Sequence, residues 1–131
     1  RLARLYANYK FCLGSYGQAI TQKLSQYDFG LMIYDFKDIL FGENHFRCMI
    51  PSKFFLYVEA CLPVLVSNKF TALSELVFRN KVGLVLDEND LLNIKDKLAS
   101  VNLLKLKENM NKYRDILANF DNSRFLLEKV I

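Results

Sequence analysis

Two residues that could bind phosphate, Ser52 and Lys53, follow Pro51 at the predicted start of a helix. Proline favours the first turn of a helix, and a serine oxygen can cap N–H groups there that lack a carbonyl partner. Those N–H groups and the helix dipole attract anions, and the lysine ammonium adds a positive charge. These residue types predict a diphosphate site, with an ordinary capped helix and a solvated lysine as the alternative.

The helix that would carry this site leads directly into a buried strand. Residues 54–61 are apolar on almost every side, which predicts a helix that is packed from several directions. Pro63 ends the helix, and residues 64–66 form a short apolar run without alternation, typical of a strand covered on both faces. A helix that enters such a strand through a tight turn is half of a βαβ unit.

Further strand and helix patterns alternate along the chain with short connections, which indicates a parallel sheet. The strands are predicted at 9–13, 29–34 and 82–86, and the helices at 18–26, 71–79, 91–99, 103–117 and 123–131. The predicted fold class is therefore α/β, with a parallel sheet flanked by helices.

Residues 35–50 are predicted to form a long loop after the strand at 29–34. Open α/β sheets bind ligands at this end of their strands, and long loops in compact domains tend to be functional. The loop contains residue types that bind hard metal ions, but one histidine with loose spacing does not define a metal site. We therefore predict no metal. The residues concerned are Asp35, Asp38, Glu43 and His45.

The composition suits one domain with a sizeable core, because 52% of the 131 residues are hydrophobic. The net charge is +4, and basic residues are interleaved with acidic ones, which argues against a nucleic-acid surface. Five lysines could contact an anionic membrane surface, although neighbouring carboxylates favour a solvated helix face. They are Lys95, Lys97, Lys105, Lys107 and Lys112.

The cysteines Cys12, Cys48 and Cys61 are odd in number and lack metal-site spacing. They are predicted to be reduced, packed thiols of a cytosolic protein. The sequence begins without methionine on a pattern that already looks helical, so we expect a fragment of a longer protein.

Several stretches resemble, in their order and spacing, the C-terminal, donor-binding half of GT-B glycosyltransferases of the large retaining, nucleotide-sugar-dependent family. The likeness covers nearly the whole chain. The stretches are FCLGSY (11–16), LSQYDFGLM (24–32), PSKFFLY (51–57) with LPVLVS (62–67), LSELV (73–77) with KVGLVL (81–86), and residues 120–131.

The resemblance implies a Rossmann-like half-domain, one half of a GT-B fold, that binds a nucleotide-diphosphate sugar as donor substrate and needs no further cofactor. By position, the backbone at Ser15 and Tyr16 would contact the base, and the amides of Ser52 and Lys53 would contact the diphosphate. The residues of the predicted loop that could face the sugar are Glu43, Asn44 and His45.

The sequence departs from the family at the ribose-binding position. Leu56 stands where the family usually has a glutamate, and Cys48 stands where a second one is common. Glu59 shares a helix face with Leu56, so a partial replacement of the missing carboxylate is an open alternative. Cys61 stands where the family usually has a glycine before the Pro-Val pair.

We therefore predict that residues 1–131 are a single donor-binding domain of a cytoplasmic hexosyltransferase, acting in bacterial surface-glycan assembly at or near the inner face of the membrane. The missing partner would be an N-terminal acceptor-binding domain, without which the chain is expected to be inactive. Two alternatives stay open. One is a non-catalytic relative without donor affinity, which is favoured by Leu56 and Cys48 at the two positions where the family commonly has glutamates. The other is an α/β interaction module.

Overall fold

The computed structural model describes Asn8, Gly14 and residues 17–34 and 43–119. In this part of the chain three parallel strands lie side by side in chain order, and seven helices flank them. The α/β class with a parallel sheet is thereby confirmed. The strands are β1 (Gly30–Met32), β2 (Val64–Ser67) and β3 (Gly83–Leu86). The helices are α1 (Gln18–Leu24), α2 (Glu43–Cys48), α3 (Ser52–Glu59), α4 (Thr71–Asn80), α5 (Glu88–Leu92), α6 (Ile94–Ala99) and α7 (Leu103–Ala118).

The central strand β2 is buried along its whole length, as the unalternating apolar run predicts. Its first residue, Val64, lies opposite Gly30 of β1 on one side and Gly83 of β3 on the other. The helices α3, α4 and α7 supply most of the remaining core. The fully buried side chains include Met32, Phe54, Leu62, Phe70, Leu73, Val77 and Met110.

Burial along α3 is less extensive than the sequence suggests. Phe54, Tyr57 and Val58 are buried, whereas Phe55 is 44% exposed and Glu59 is exposed. The prediction of a helix packed from several directions holds in part, because α1, α7 and β1 all contact α3, whereas Phe55 and Glu59 face solvent.

The prediction of a loop over residues 35–50 is wrong for residues 43–48, which form α2. The Phe46 ring meets the buried Phe70 ring edge to face at 6.1 Å, and this apolar contact gives the short helix a place to pack. Residues 35–42, including Asp35 and Asp38, lie outside the described residues, as do the predicted strand at 9–13 and the predicted helix at 123–131.

The turn between α3 and β2 has a left-handed residue at Cys61, whose φ is 52°. This backbone conformation favours glycine. The glycosyltransferase family that the sequence resembles usually has a glycine at this position. The Arg114 guanidinium donates to the Cys61 sulfur at 2.9 Å, which ties the turn to α7. Cys61 is half-buried, but Cys48 is exposed at the end of α2, so the prediction of a packed thiol is wrong there. Cys12 lies outside the described residues.

Several of the lysines discussed above lie beside carboxylates. Lys97 pairs with Asp90 at 2.8 Å, and Lys105 pairs with Glu108 at 3.1 Å. Lys107 lies 3.6 Å from Asp28. None of the helices in the described ranges combines the length and the apolar character that a membrane crossing requires.

Candidate functional site

The amino end of α3 is open to solvent. Pro51 is the extended residue before the helix, Ser52 and Lys53 are its first two residues, and both are exposed. Pro51 occupies the cap position and makes no side-chain hydrogen bond there, and Ser52 lies one position too far along the helix, so the predicted capping role of Ser52 is wrong. Because α3 connects two parallel strands, it runs back against them. Its amino end therefore lies at the carboxyl edge of the sheet.

The Lys53 ammonium is held beside β1. Its Nζ donates to the Leu31 carbonyl oxygen at 3.4 Å and lies 5.5 Å from the centre of the Tyr57 ring. The Tyr57 hydroxyl donates to the same carbonyl at 3.4 Å. A cation over an aromatic ring is attracted to the ring face, so Tyr57 and Leu31 together keep a positive charge close to the open helix end.

Gly30 makes room for the Tyr57 ring. A Cβ atom at Gly30 would lie 2.6 Å from Tyr57 Cδ2, closer than real contacts allow. The missing side chain therefore permits Tyr57 to pack flat against β1. The sequence analysis did not connect these two residues. The one available signal was a glycine near the start of a buried strand.

Glu59 does not reach the open end of α3. It is the last residue of an eight-residue helix. At 1.5 Å per residue it lies about 10 Å along the axis from Ser52. There it lines a cavity of about 230 Å³ between α3 and α7, together with Phe55 of α3 and with Arg114 and Leu117 of α7. Leu56 is half-buried one turn earlier. That Glu59 binds the ribose in place of the family's glutamate stays a prediction. Its distance from the amino end of α3 does not support it.

The residues predicted to face the sugar, Glu43, Asn44 and His45, are the first three residues of α2 rather than part of a loop. Asn44 and His45 are exposed. The helix packs near Phe70, which precedes α4 at the carboxyl edge of the sheet. Their contact with a sugar remains a prediction. Ser15 and Tyr16 lie outside the described residues. Among residues 17–34 and 43–119, no three His, Cys, Asp or Glu side chains form a metal-binding group.

A second concave surface at the carboxyl edge was not predicted. It is a cavity of about 340 Å³, formed by residues at or after the carboxyl ends of the three strands. The polar pairs after β2 and β3 were visible in the sequence, but their convergence depends on the sheet order. The lining residues are Ile33, Tyr34, Ser67, Asn68, Lys69, Asp87, Glu88 and Leu91.

The loop after β3 is fixed by a reciprocal cap at the start of α5. The Asp90 N–H donates to the Asp87 carboxylate at 2.8 Å, and the Asp87 N–H donates to the Asp90 carboxylate at 3.2 Å. The Lys97 ammonium, followed by the Asp87 N–H, holds the pKa of Asp90 below its ordinary value. The reciprocal cap and the Lys97–Asp90 ion pair together fix the start of α5, where Asp87 and Glu88 line the cavity.

A parallel sheet flanked by helices, with an open helix end at its carboxyl edge, defines a Rossmann-like half-domain. The family model described as "Glucosyltransferase 3-like, C-terminal domain" matches residues 6–129, so the chain belongs to this family. No curated protein and no solved structure gives a significant match. The resemblance to the C-terminal domain of a glycosyltransferase is confirmed at this level.

Proposed function

We propose that this domain binds a nucleotide-diphosphate glucose as the donor half of a retaining, GT-B-type glycosyltransferase. The observation that carries the proposal is the uncapped, exposed amino end of α3 with Lys53 beside it. The family description supports a glucosyl donor. An N-terminal domain would supply the acceptor, and the resemblance supports a role in surface-glycan assembly at the cytoplasmic face of a membrane.

The chemistry follows from the charge that develops on the diphosphate. As the bond between the sugar and the nucleotide breaks, negative charge accumulates on the leaving phosphate oxygen. The N–H groups of Ser52 and Lys53 point out of the helix end and can donate to it. The Lys53 ammonium can turn from the Leu31 carbonyl to the phosphate and stabilise the same charge.

The second candidate is a relative that has lost donor affinity. Leu56 offers no carboxylate to the ribose, and Glu59 lies at the far end of α3. In this case the open helix end would carry no nucleotide. Calorimetric titration with UDP, GDP and ADP separates the two candidates, since the relative should bind none of them.

Replacing Lys53 with alanine should weaken binding of the preferred nucleoside diphosphate by about tenfold or more, since a charged hydrogen bond to phosphate is lost. Lys53 is exposed and its contacts with Leu31 and Tyr57 are long, so the melting temperature should change little. Isothermal titration calorimetry measures the affinity.

The matched control is Lys95→Ala, which removes an exposed lysine from α6 and leaves the net charge the same as in Lys53→Ala. Equal affinities for Lys53→Ala and the unmodified protein would contradict the assignment of the diphosphate to α3. A loss of affinity in both variants would indicate a general charge effect instead.

A further inference from the structure

The 340 Å³ cavity at the carboxyl edge is lined by residues that the diphosphate site does not use. The lining includes the apolar or aromatic side chains of Ile33, Tyr34 and Leu91. The Tyr34 ring is held in place by an edge-to-face contact with the buried Phe70 ring at 5.4 Å. The Tyr34 side chain is 43% exposed, so part of it remains open to a ligand.

The lining also carries both signs of charge, on Lys69, Asp87 and Glu88. Lys69 and Glu88 form an ion pair of 3.1 Å between the loop after β2 and the start of α5. Asn68 is exposed beside Lys69, and its N–H donates to the Leu86 carbonyl at 2.9 Å, which fixes the backbone of the rim.

Asp87 and Glu88 are the two carboxylates of the lining, and Glu88 is the more accessible to a ligand. The Asp87 side chain already accepts the Asp90 N–H in the cap of α5. The Glu88 side chain is 82% exposed and that of Lys69 is 43% exposed. An ion pair with so much solvent contact contributes little to folding, so its groups can exchange one partner for another at little cost.

This mixture of aromatic, apolar and charged lining residues fits a sugar ring better than an anion. A pyranose presents an apolar C–H face, which packs on an aromatic ring, and a rim of hydroxyl groups, which bind carboxylates, amides and ammonium groups. A second phosphate would meet the adjacent carboxylates of Asp87 and Glu88, which would repel it.

We propose that Lys69 and Glu88 bind the hydroxyl groups of a pyranose ring in this cavity and so contribute to sugar specificity. Glu88 accepts from two neighbouring hydroxyls, and Lys69 donates to a hydroxyl oxygen. The inference rests on the proposed function, because a sugar transferase must place one sugar of the donor and often one of the acceptor near this edge. Either sugar presents the same chemistry.

The test is Glu88→Gln, which keeps the shape of the side chain and removes its charge. Glu108→Gln is the matched control, because Glu108 forms an exposed ion pair of the same length with Lys105 on α7. Each protein is titrated with UDP, GDP and ADP, with the corresponding glucose conjugates, and with methyl α-D-glucopyranoside, followed by calorimetry and by amide chemical shifts.

If the donor sugar occupies the cavity, Glu88→Gln binds the nucleotide-glucose about tenfold more weakly and the free nucleotide unchanged. If the acceptor sugar occupies it, the glucoside shifts amides of Asn68 and Glu88 in the unmodified protein, and the substitution abolishes the shift. Unchanged binding of all three ligand types, or an equal effect of Glu108→Gln, overturns the proposal. Glucoside binding without nucleotide binding overturns the proposed function alone.

Discussion

Replacing Phe54 with alanine is expected to lower the free energy of unfolding by about 3–5 kcal/mol, the usual cost of removing a buried aromatic ring. Phe54 has no exposed surface, and its ring lies 6.3 Å from that of Tyr113 on α7. Alanine would leave a cavity between α3 and α7. Because domains of this size are stable by about 5–15 kcal/mol, this loss is a large fraction of the total stability.

The adjacent residue provides the control for this experiment. Phe55 belongs to the same helix and has the same side chain, but it is 44% exposed. Phe55→Ala should therefore cost much less than Phe54→Ala. Urea denaturation followed by circular dichroism measures both changes. Equal losses for the two variants would contradict the burial of α3 through Phe54.

Substituting Gly83 with alanine is the second change with a large expected effect. The added Cβ would lie 2.0 Å from the carbonyl oxygen of Val64, on the neighbouring strand β2. This contact involves backbone, which cannot turn aside as a side chain does, so β2 and β3 must separate locally. We expect a loss of about 3 kcal/mol in the free energy of unfolding, at the upper end of the usual cost of overpacking.

Gly14 is the matched control, because a Cβ atom there would meet nothing within 4 Å among the residues that the structure describes. Gly14→Ala should leave the unfolding midpoint in urea nearly unchanged, whereas Gly83→Ala should shift it to clearly lower concentrations. A stable Gly83→Ala protein with an unchanged midpoint would show that β3 does not pair with β2 in the register that places Gly83 opposite Val64.

The buried elements could be predicted from local sequence, because their patterns are strong. The run around Val64–Ser67 is apolar without interruption, and Pro63 ends the preceding helix. The helix at residues 43–48 could not be predicted in this way, because Phe46 packs on Phe70, which is distant in sequence. The cap at Pro51 differs from the expected one by a single position, which sequence patterns rarely resolve.

The candidate site was predictable in part. Proline, serine and lysine at a helix start indicate the open amino end of α3, and the structure has it at the expected place. The support of Lys53 by Tyr57 and Gly30 depends on a contact between a helix and a strand, which spacing alone does not reveal. The cavity with Lys69 and Glu88 depends on the order of the strands in the sheet.

The most direct test of the phosphate site follows backbone amides while UDP, GDP and ADP are titrated into the isotope-labelled protein. If a diphosphate binds at the amino end of α3, the amide resonances of Ser52 and Lys53 should show the largest shifts, because their N–H groups donate to phosphate oxygens. Two results would contradict a diphosphate site at α3. One is saturable shifts of other amides while those of Ser52 and Lys53 stay unchanged, and the other is no amide shift with any of the three nucleotides.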